Sequence, residues 1–176
     1  NCLAAETTVP DSPERDQKIA QFISTYESLF TQVAEQNGLN KDIMLAQAIL
    51  ESGFGTSELA QHANNFFGMK ANQDWTGLTY TKNTQEVIPR TDLDQYDEIL
   101  DVQDYPSDPL LVTVTIPAVF MAFTTPEEGF DAYARTIIDR FPLAVGAGSD
   151  STYLAALRNG TFGAYATDPS YETKIL

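Results

Sequence analysis

Between Ser12 and Asn37 the apolar residues Ile19, Phe22, Ile23, Tyr26, Leu29, Phe30 and Val33 recur at steps of three and four, which gathers them on one face of a single helix. Ser12 as N-cap, Pro13 at the first helical position and Gly38 just past the end frame that helix. A second helix is expected from Asn40, whose side chain can cap free amides, through Ile43, Ala46, Ile49 and Leu50 until Gly53 stops it. Glu51 therefore falls in its last turn. Thr56 or Ser57 caps a short third helix through Leu59 and Ala60, and Asn64 and Asn65 break the pattern.

The chemistry then changes. From Trp75 to Ile88 the threonines, Tyr80, Val87 and the turn signal Thr76-Gly77 favour a small β-hairpin. Between Pro89 and Asp108 the chain is rich in aspartate and has little periodicity, so an exposed insertion or loop is expected. Leu111 to Ile116 alternates apolar residues with Thr113 and Thr115, as a half-buried strand does. Thr125-Pro126-Glu127-Glu128 forms a capping box with proline at the first helical position, followed by a helix through Phe130, Tyr133, Ala134, Ile137, Ile138 and Phe141. Another helix is expected from about Ser151 to Asn159, and Asp168-Pro169 repeats the cap-plus-proline signal near the end. The class is α+β, mainly helical.

Composition narrows the partners. The chain has 176 residues, enough for one domain with its own core. Its 25 acidic and 10 basic residues give a formal net charge of -15, which repels phosphate backbones and anionic membrane surfaces, so nucleic acid is excluded as an expected partner. A polyanionic wall would be repelled as well, so binding there must come from a cleft or from an anchoring module outside this chain. The single cysteine, Cys2, cannot form an internal disulfide, and residues 1–11 read as a disordered tail. Asn1 before Cys2 does not suit lipoprotein processing, and a start on Asn fits a removed signal peptide or a trimmed start equally. The apolar stretch from Leu110 to Phe123 is interrupted by threonines and Pro117 and is too short for a membrane span. A lone histidine, His62, with no cysteine cluster leaves a zinc site of the usual nitrogen and sulfur ligands without its parts, and no metal or cofactor is expected. Ser52 and Ser57 have no histidine partner at a known spacing.

A carboxyl group in the last turn of a helix sits near unpaired carbonyls and the negative end of the helix dipole, which disfavours its charged form. If Phe54 and neighbouring aromatics dry the site, desolvation pushes the same way, and Glu51 becomes able to carry a proton at neutral pH. Protonating a glycosidic oxygen requires such a group. The Gly53-Phe54-Gly55 turn permits the sharp exit that would hold it at a cleft edge. Taken alone, a glutamate at a helix end is an ordinary solvated residue.

The surroundings alter that reading. Ala48-Ile-Leu-Glu51-Ser-Gly-Phe-Gly-Thr-Ser57, then Leu59-Ala60, then Ala63-Asn-Asn-Phe-Phe-Gly-Met-Lys70 closely resemble the family-73 glycoside hydrolases, the peptidoglycan N-acetylglucosaminidases. Trp75-Thr-Gly77 is similar to the segment after the family's lysine, Thr84-Gln-Glu86 to its Thr-x-Glu strand, Phe123 through Tyr133 to its aromatic-led helix start, and Tyr165-Ala-Thr-Asp168 with Tyr171 to its closing motif. The likeness runs from about Asn40 to the end. It implies a lysozyme-like α-lobe, residues 12–70 and 123–176, and a small mobile β-hairpin lobe, residues 71–122, with substrate between them. It matches Glu51 to the general acid, Glu86 to the second carboxylate and Tyr165 to the tyrosine that positions or stabilises the reacting sugar. Phe66-Phe67-Gly68-Met69-Lys70 stands where Leu-Phe-Gly-Ile-Lys is commoner, a swap of similar apolar bulk. Residues 89–119 are longer and more acidic than the family's usual link.

The remaining candidates carry alternatives. Glu86 is a strand-surface carboxylate, or acts as a base on water, as in inverting enzymes whose carboxyls lie roughly 6.5 to 9.5 Å apart, or is secondary to attack by the sugar's own 2-acetamido group. Phe67 and Trp75 are candidates for stacking on sugar faces, with a wedge between lobes as the other reading; Tyr165 and Tyr133 are each a site residue or a core aromatic. Asn65 touches substrate or fixes loop backbone. Lys70 binds substrate or is a solvated charge. The function expected is cleavage of the β-1,4 bond after N-acetylglucosamine in bacterial peptidoglycan, by an autolysin acting in wall turnover or daughter-cell separation. It would be secreted or wall-associated, and a monomer, tethered if at all through modules outside this chain. The competing readings are a lytic transglycosylase or muramidase on the same fold, and an inactive wall-binding module.

Overall fold

In the computed structural model the described residues are 13–161, 165, 174 and 175. Five helices and one sheet follow in the order α1 (Pro13–Asn37), α2 (Lys41–Ser52), α3 (Glu58–Ala63), β1 (Thr79–Pro89), β2 (Asp101–Asp104), β3 (Leu111–Met121), α4 (Pro126–Arg140) and α5 (Asp150–Arg158). Short 3-10 helices follow β1 and α4. The expected tail, the Ser12 cap and the Asp168-Pro169 signal lie outside the described residues.

The local signals of the helices are used where they stand. Asn40 accepts from the amide of Ile43, Ser57 from Ala60 and Ser149 from Thr152, each capping a helix start. Thr125 caps α4 by accepting from Glu128, while the Glu128 carboxylate reaches back one residue further, to the amide and hydroxyl of Thr124. The stripe of α1 meets α2 and α4 in the main core, where Phe30 lies 4.8 Å from Phe130 and Phe67 stacks on Tyr133 at 4.0 Å.

The sheet differs from the expected hairpin over Trp75 to Ile88. Residues 75–78 are coil, and β1 pairs antiparallel with β3, from Thr79 opposite Met121 to Pro89 opposite Leu111. The pairing partner lies beyond the acidic segment, so no local turn marked it. That segment is ordered as well as exposed: Asp101–Asp104 forms β2, which pairs with β3 over Val112 to Thr115 and gives the strand order β1-β3-β2. The strand expected at Leu111 to Ile116 runs on to Met121, through Pro117. Proline is tolerated there because odd-numbered residues of β3 direct their main chain away from β1. On that second edge β2 stops opposite Thr115, and residues 69–71 take over at Val119 to Met121, leaving Pro117 in the gap.

Two small cores belong to the sheet. Ile88, Val112, Val114 and Ile116 cluster under Leu93 and Ile99, so the acidic segment roofs the sheet's apolar face. Phe120 packs against Leu59 and Ala63 of α3. The joint to the helices is tight: Phe123 donates its amide to Ala63, Asn64 donates to the Phe123 carbonyl, and a Cβ on Gly129 would stand 2.2 Å from the Asn64 carbonyl oxygen. Among the described residues no helix is long and apolar enough to cross a membrane.

Candidate active site

Glu51 occupies the penultimate position of α2, and its side chain is withdrawn from water: the residue is 7% exposed and Oε2 is shielded from solvent. The chain leaves the helix through three successive residues of positive φ, Gly53 (54°), Phe54 (60°) and Gly55 (79°). For phenylalanine that conformation is strained, and it persists because the turn is stitched from several sides. Gly53 and Phe54 both donate their amides to Ile49, Ser52 donates to Ala48 and accepts from the Gly55 amide at 2.9 Å, and the Thr56 hydroxyl donates to Gly53. Gly55 also passes close to Phe22, where a Cβ would come within 3.1 Å of the ring. The sequence Glu-Ser-Gly-Phe-Gly-Thr-Ser thus fixes where α2 ends and where Glu51 stands.

One turn before Glu51, Gln47 is fully buried and accepts a hydrogen bond from Tyr133 of α4, whose hydroxyl lies 2.9 Å from that of Tyr153 of α5. Three helices meet at these polar atoms. Burial pushes the Tyr153 hydroxyl up to about 12, against a smaller lowering by its bond with Tyr133. Neither Gln47 nor Tyr153 stood out in the sequence; the available signal was a glutamine on the inward face of α2, four residues before the glutamate.

Glu86 lies on β1, opposite Val114, on the apolar face of the sheet, and is 3% exposed. Its carboxylate is ion-paired with Lys70. Lys70 itself is held by main chain, bridged to Phe120 of β3 and flanked by the bonds from Met121 to Met69 and from Ala71 to Val119. Phe120 and Val114 are six residues apart, about 20 Å in a straight strand, farther than a lysine and a glutamate reach together. The ribbon must therefore coil for the pair to close.

Asn65 supports the lysine from behind. It is 1% exposed, donates to the carbonyls of Met69 and Met121, both at 2.9 Å, and accepts from the Met69 amide at 3.0 Å. Its side chain is thereby committed to loop backbone. Phe67 and Tyr133 are turned inward and stacked on one another, so in this conformation neither presents a ring face to a ligand. Tyr165 donates its hydroxyl to the Phe67 carbonyl at 2.9 Å and sets its ring edge against Tyr133. Trp75 is half-buried, meets Phe123 edge-on and donates its indole N–H to the Leu78 carbonyl at 2.8 Å. Among the described residues no group of three or more His, Cys, Asp or Glu is arranged to hold a metal ion.

The family of the chain is shown by its likeness to known proteins. The profile of the glucosaminidase family, described as mannosyl-glycoprotein endo-beta-N-acetylglucosaminidase, matches residues 27–176. The chain belongs to the glucosaminidase family of glycoside hydrolases. It is 27% identical over 172 residues to the peptidoglycan hydrolase FlgJ of Vibrio parahaemolyticus, covering 94% of this chain and 46% of that protein. It is 32% identical over 140 residues to the exo-glucosaminidase LytG of Bacillus subtilis, covering 76% and 40%. The chain thus spans less than half the length of these relatives. Its fold resembles that of a peptidoglycan hydrolase mutant from Sphingomonas sp. A1, with a TM-score of 0.65, 24% identity and 88% of each chain covered. It also resembles the catalytic domain of the autolysin Auto from Listeria monocytogenes, with a TM-score of 0.63, 22% identity and coverage of 96% and 84%. The α+β fold, mainly helical and lysozyme-like, is the one expected from the sequence.

Proposed function

We propose that this domain hydrolyses the β-1,4 bond after N-acetylglucosamine in bacterial peptidoglycan, with Glu51 as the general acid. The observation that carries the reading is the seat of Glu51: a carboxyl group withdrawn from water, at the carbonyl end of a helix, held by a turn that cannot relax cheaply. Burial and the helix end both favour the proton-bearing form, the form that can deliver hydrogen to a departing glycosidic oxygen.

Glu86 is the second carboxyl group of the reaction. Its ion pair with Lys70 fixes the carboxylate in the sheet's apolar surroundings, which suits a group that accepts a proton from water or braces the developing positive charge on the sugar. Tyr165 and Asn65 are positioning residues. Tyr165 ties down the backbone at Phe67, and Asn65 fixes the loop that presents Lys70. The names of the relatives supply the substrate: FlgJ is a peptidoglycan hydrolase and LytG an exo-glucosaminidase. Action at the bacterial cell wall, in turnover or daughter-cell separation, follows from that reading.

Product analysis tests the proposal. Mass spectrometry of digested peptidoglycan should find N-acetylglucosamine at the new reducing ends. A digest that yields anhydro-muramic acid, or reducing muramic acid, would assign cleavage to the other linkage and remove the proposal.

A further inference from the structure

A cavity of about 200 Å³ opens between α4 and the segment after Lys70. Trp75, Met121 and Ala132 supply apolar surface, Thr136 a hydroxyl, and the charged residues are Arg135 and Arg140 on one hand, Asp74 and Asp139 on the other. The cavity adjoins the active-site scaffold: Met121 donates to the main chain of Met69, next to Lys70, and the Thr136 hydroxyl lies 3.8 Å from the Met69 sulfur.

The charges here go against the rest of the chain. In a protein of formal charge -15 with 10 basic residues, two arginines and two aspartates line one small cavity. A guanidinium offers paired donors that match a carboxylate, and an aspartate accepts from an ammonium. An aromatic face and small apolar patches suit the short aliphatic part that joins such groups. A neutral sugar can hydrogen-bond to these groups but brings no opposite charge to either.

We infer that this cavity binds the peptide stem of the wall polymer, a short peptide carrying free carboxylates and an amine, and so selects stem-bearing strands next to the bond that is cut. The inference rests on the proposed peptidoglycan substrate. Arg135 is its principal carboxylate contact, and Trp75 forms the wall.

Trp75 is the single tryptophan of the chain and serves as the probe. Titrating the protein with a synthetic stem tetrapeptide should change the tryptophan emission saturably, whereas a peptide-free chitin oligosaccharide should not reproduce that change. In R135A the apparent affinity for the tetrapeptide should fall on the order of tenfold, with unchanged far-UV circular dichroism. Turnover of intact peptidoglycan by R135A should show a raised KM, while turnover of glycan stripped of its peptides by an amidase should match wild type. Unchanged emission with the tetrapeptide, or an equal loss by R135A on both glycans, would overturn the inference. Failure of the wild type to cleave either glycan would instead overturn the proposed function, and the titration would still decide whether the cavity takes the peptide.

Discussion

The two carboxyl groups stand on foundations of opposite kind. Glu51 ends a helix embedded in the main core, and its exit turn is bound to α2 by main-chain and hydroxyl contacts within a few residues. Glu86 sits midway along β1, an edge strand of the three-stranded sheet, beside a cluster of four buried aliphatic side chains, and it is tied to the helices through Lys70, which is itself carried by a three-residue strip along β3. One group is placed by local chain geometry, the other by long-range pairing. A reaction needing both therefore depends on the joint between them, where Asn65, Asn64 and Gly129 bring backbone into close contact and Tyr80 of β1 donates to Glu58 of α3 at 2.6 Å. Of the two, Glu51 stands on the fixed side, the helical core.

The sharpest way to break that comparison is to remove the proton from the fixed side. Glu51→Gln keeps the shape and polarity of the side chain but cannot serve as an acid. Turnover of peptidoglycan, followed by release of reducing ends, should fall on the order of a hundredfold or more, while the melting temperature stays close to wild type because the exit turn is held without the carboxyl group. Turnover within a few-fold of wild type would mean that Glu51 is merely the end of a helix.

On the sheet side the foundation itself can be removed. Lys70→Met leaves Glu86 among Val114, Ile116 and Ile88 without its ammonium. Because the lysine side chain is 31% exposed, the loss should be below that of a fully buried pair, about 1 to 2 kcal/mol, measured by denaturant unfolding. Adding Glu86→Gln removes the uncompensated charge, so the double variant should be less destabilised than the two single losses together. Additive losses would show that Lys70 does not tether this carboxylate, and the contrast between the two foundations would lose its basis.

The same contrast decides how much was readable in the chain. The helices were legible because their boundaries are written locally: Asn40 and Gly53 for α2, Ser57 for α3, Thr125-Pro126 for α4. Glu51 came with them. β1 was legible as strand but not as a partner of β3, because its ladder closes across the acidic segment of the chain and no turn residue announces that pairing. β2, Asp-Val-Gln-Asp, has every residue exposed and no apolar alternation; it is strand because β3 offers it an edge. Asn65, Phe67 and Tyr133 were readable as a cluster near the site, yet which way each side chain turns depends on elements more than 50 residues away. Gln47 and Tyr153 escaped for that reason too, since a buried polar junction of three helices has no sequence period.

That junction gives the mildest test, and it probes the fixed side alone. Burial holds the Tyr153 hydroxyl at about 12, above its ordinary value near 10, so the folded state keeps a proton that the unfolded chain gives up first. Its contribution to stability is complete below pH 10 and declines as pH rises through 12; at pH 11 the loss should be about 1 kcal/mol, from one unit of separation. Unfolding measured from pH 8 to 11.5 should show this decline in the wild type and a shallower one in Tyr153→Phe, which keeps the ring and lacks the ionising hydroxyl. Because Tyr133 retains its bond to Gln47 in that variant, Glu51 should keep its place and peptidoglycan turnover at neutral pH should change little. A large loss of turnover would mean that the acid is held through Tyr153 and not by the exit turn, reversing which part of the helical core is credited with placing it.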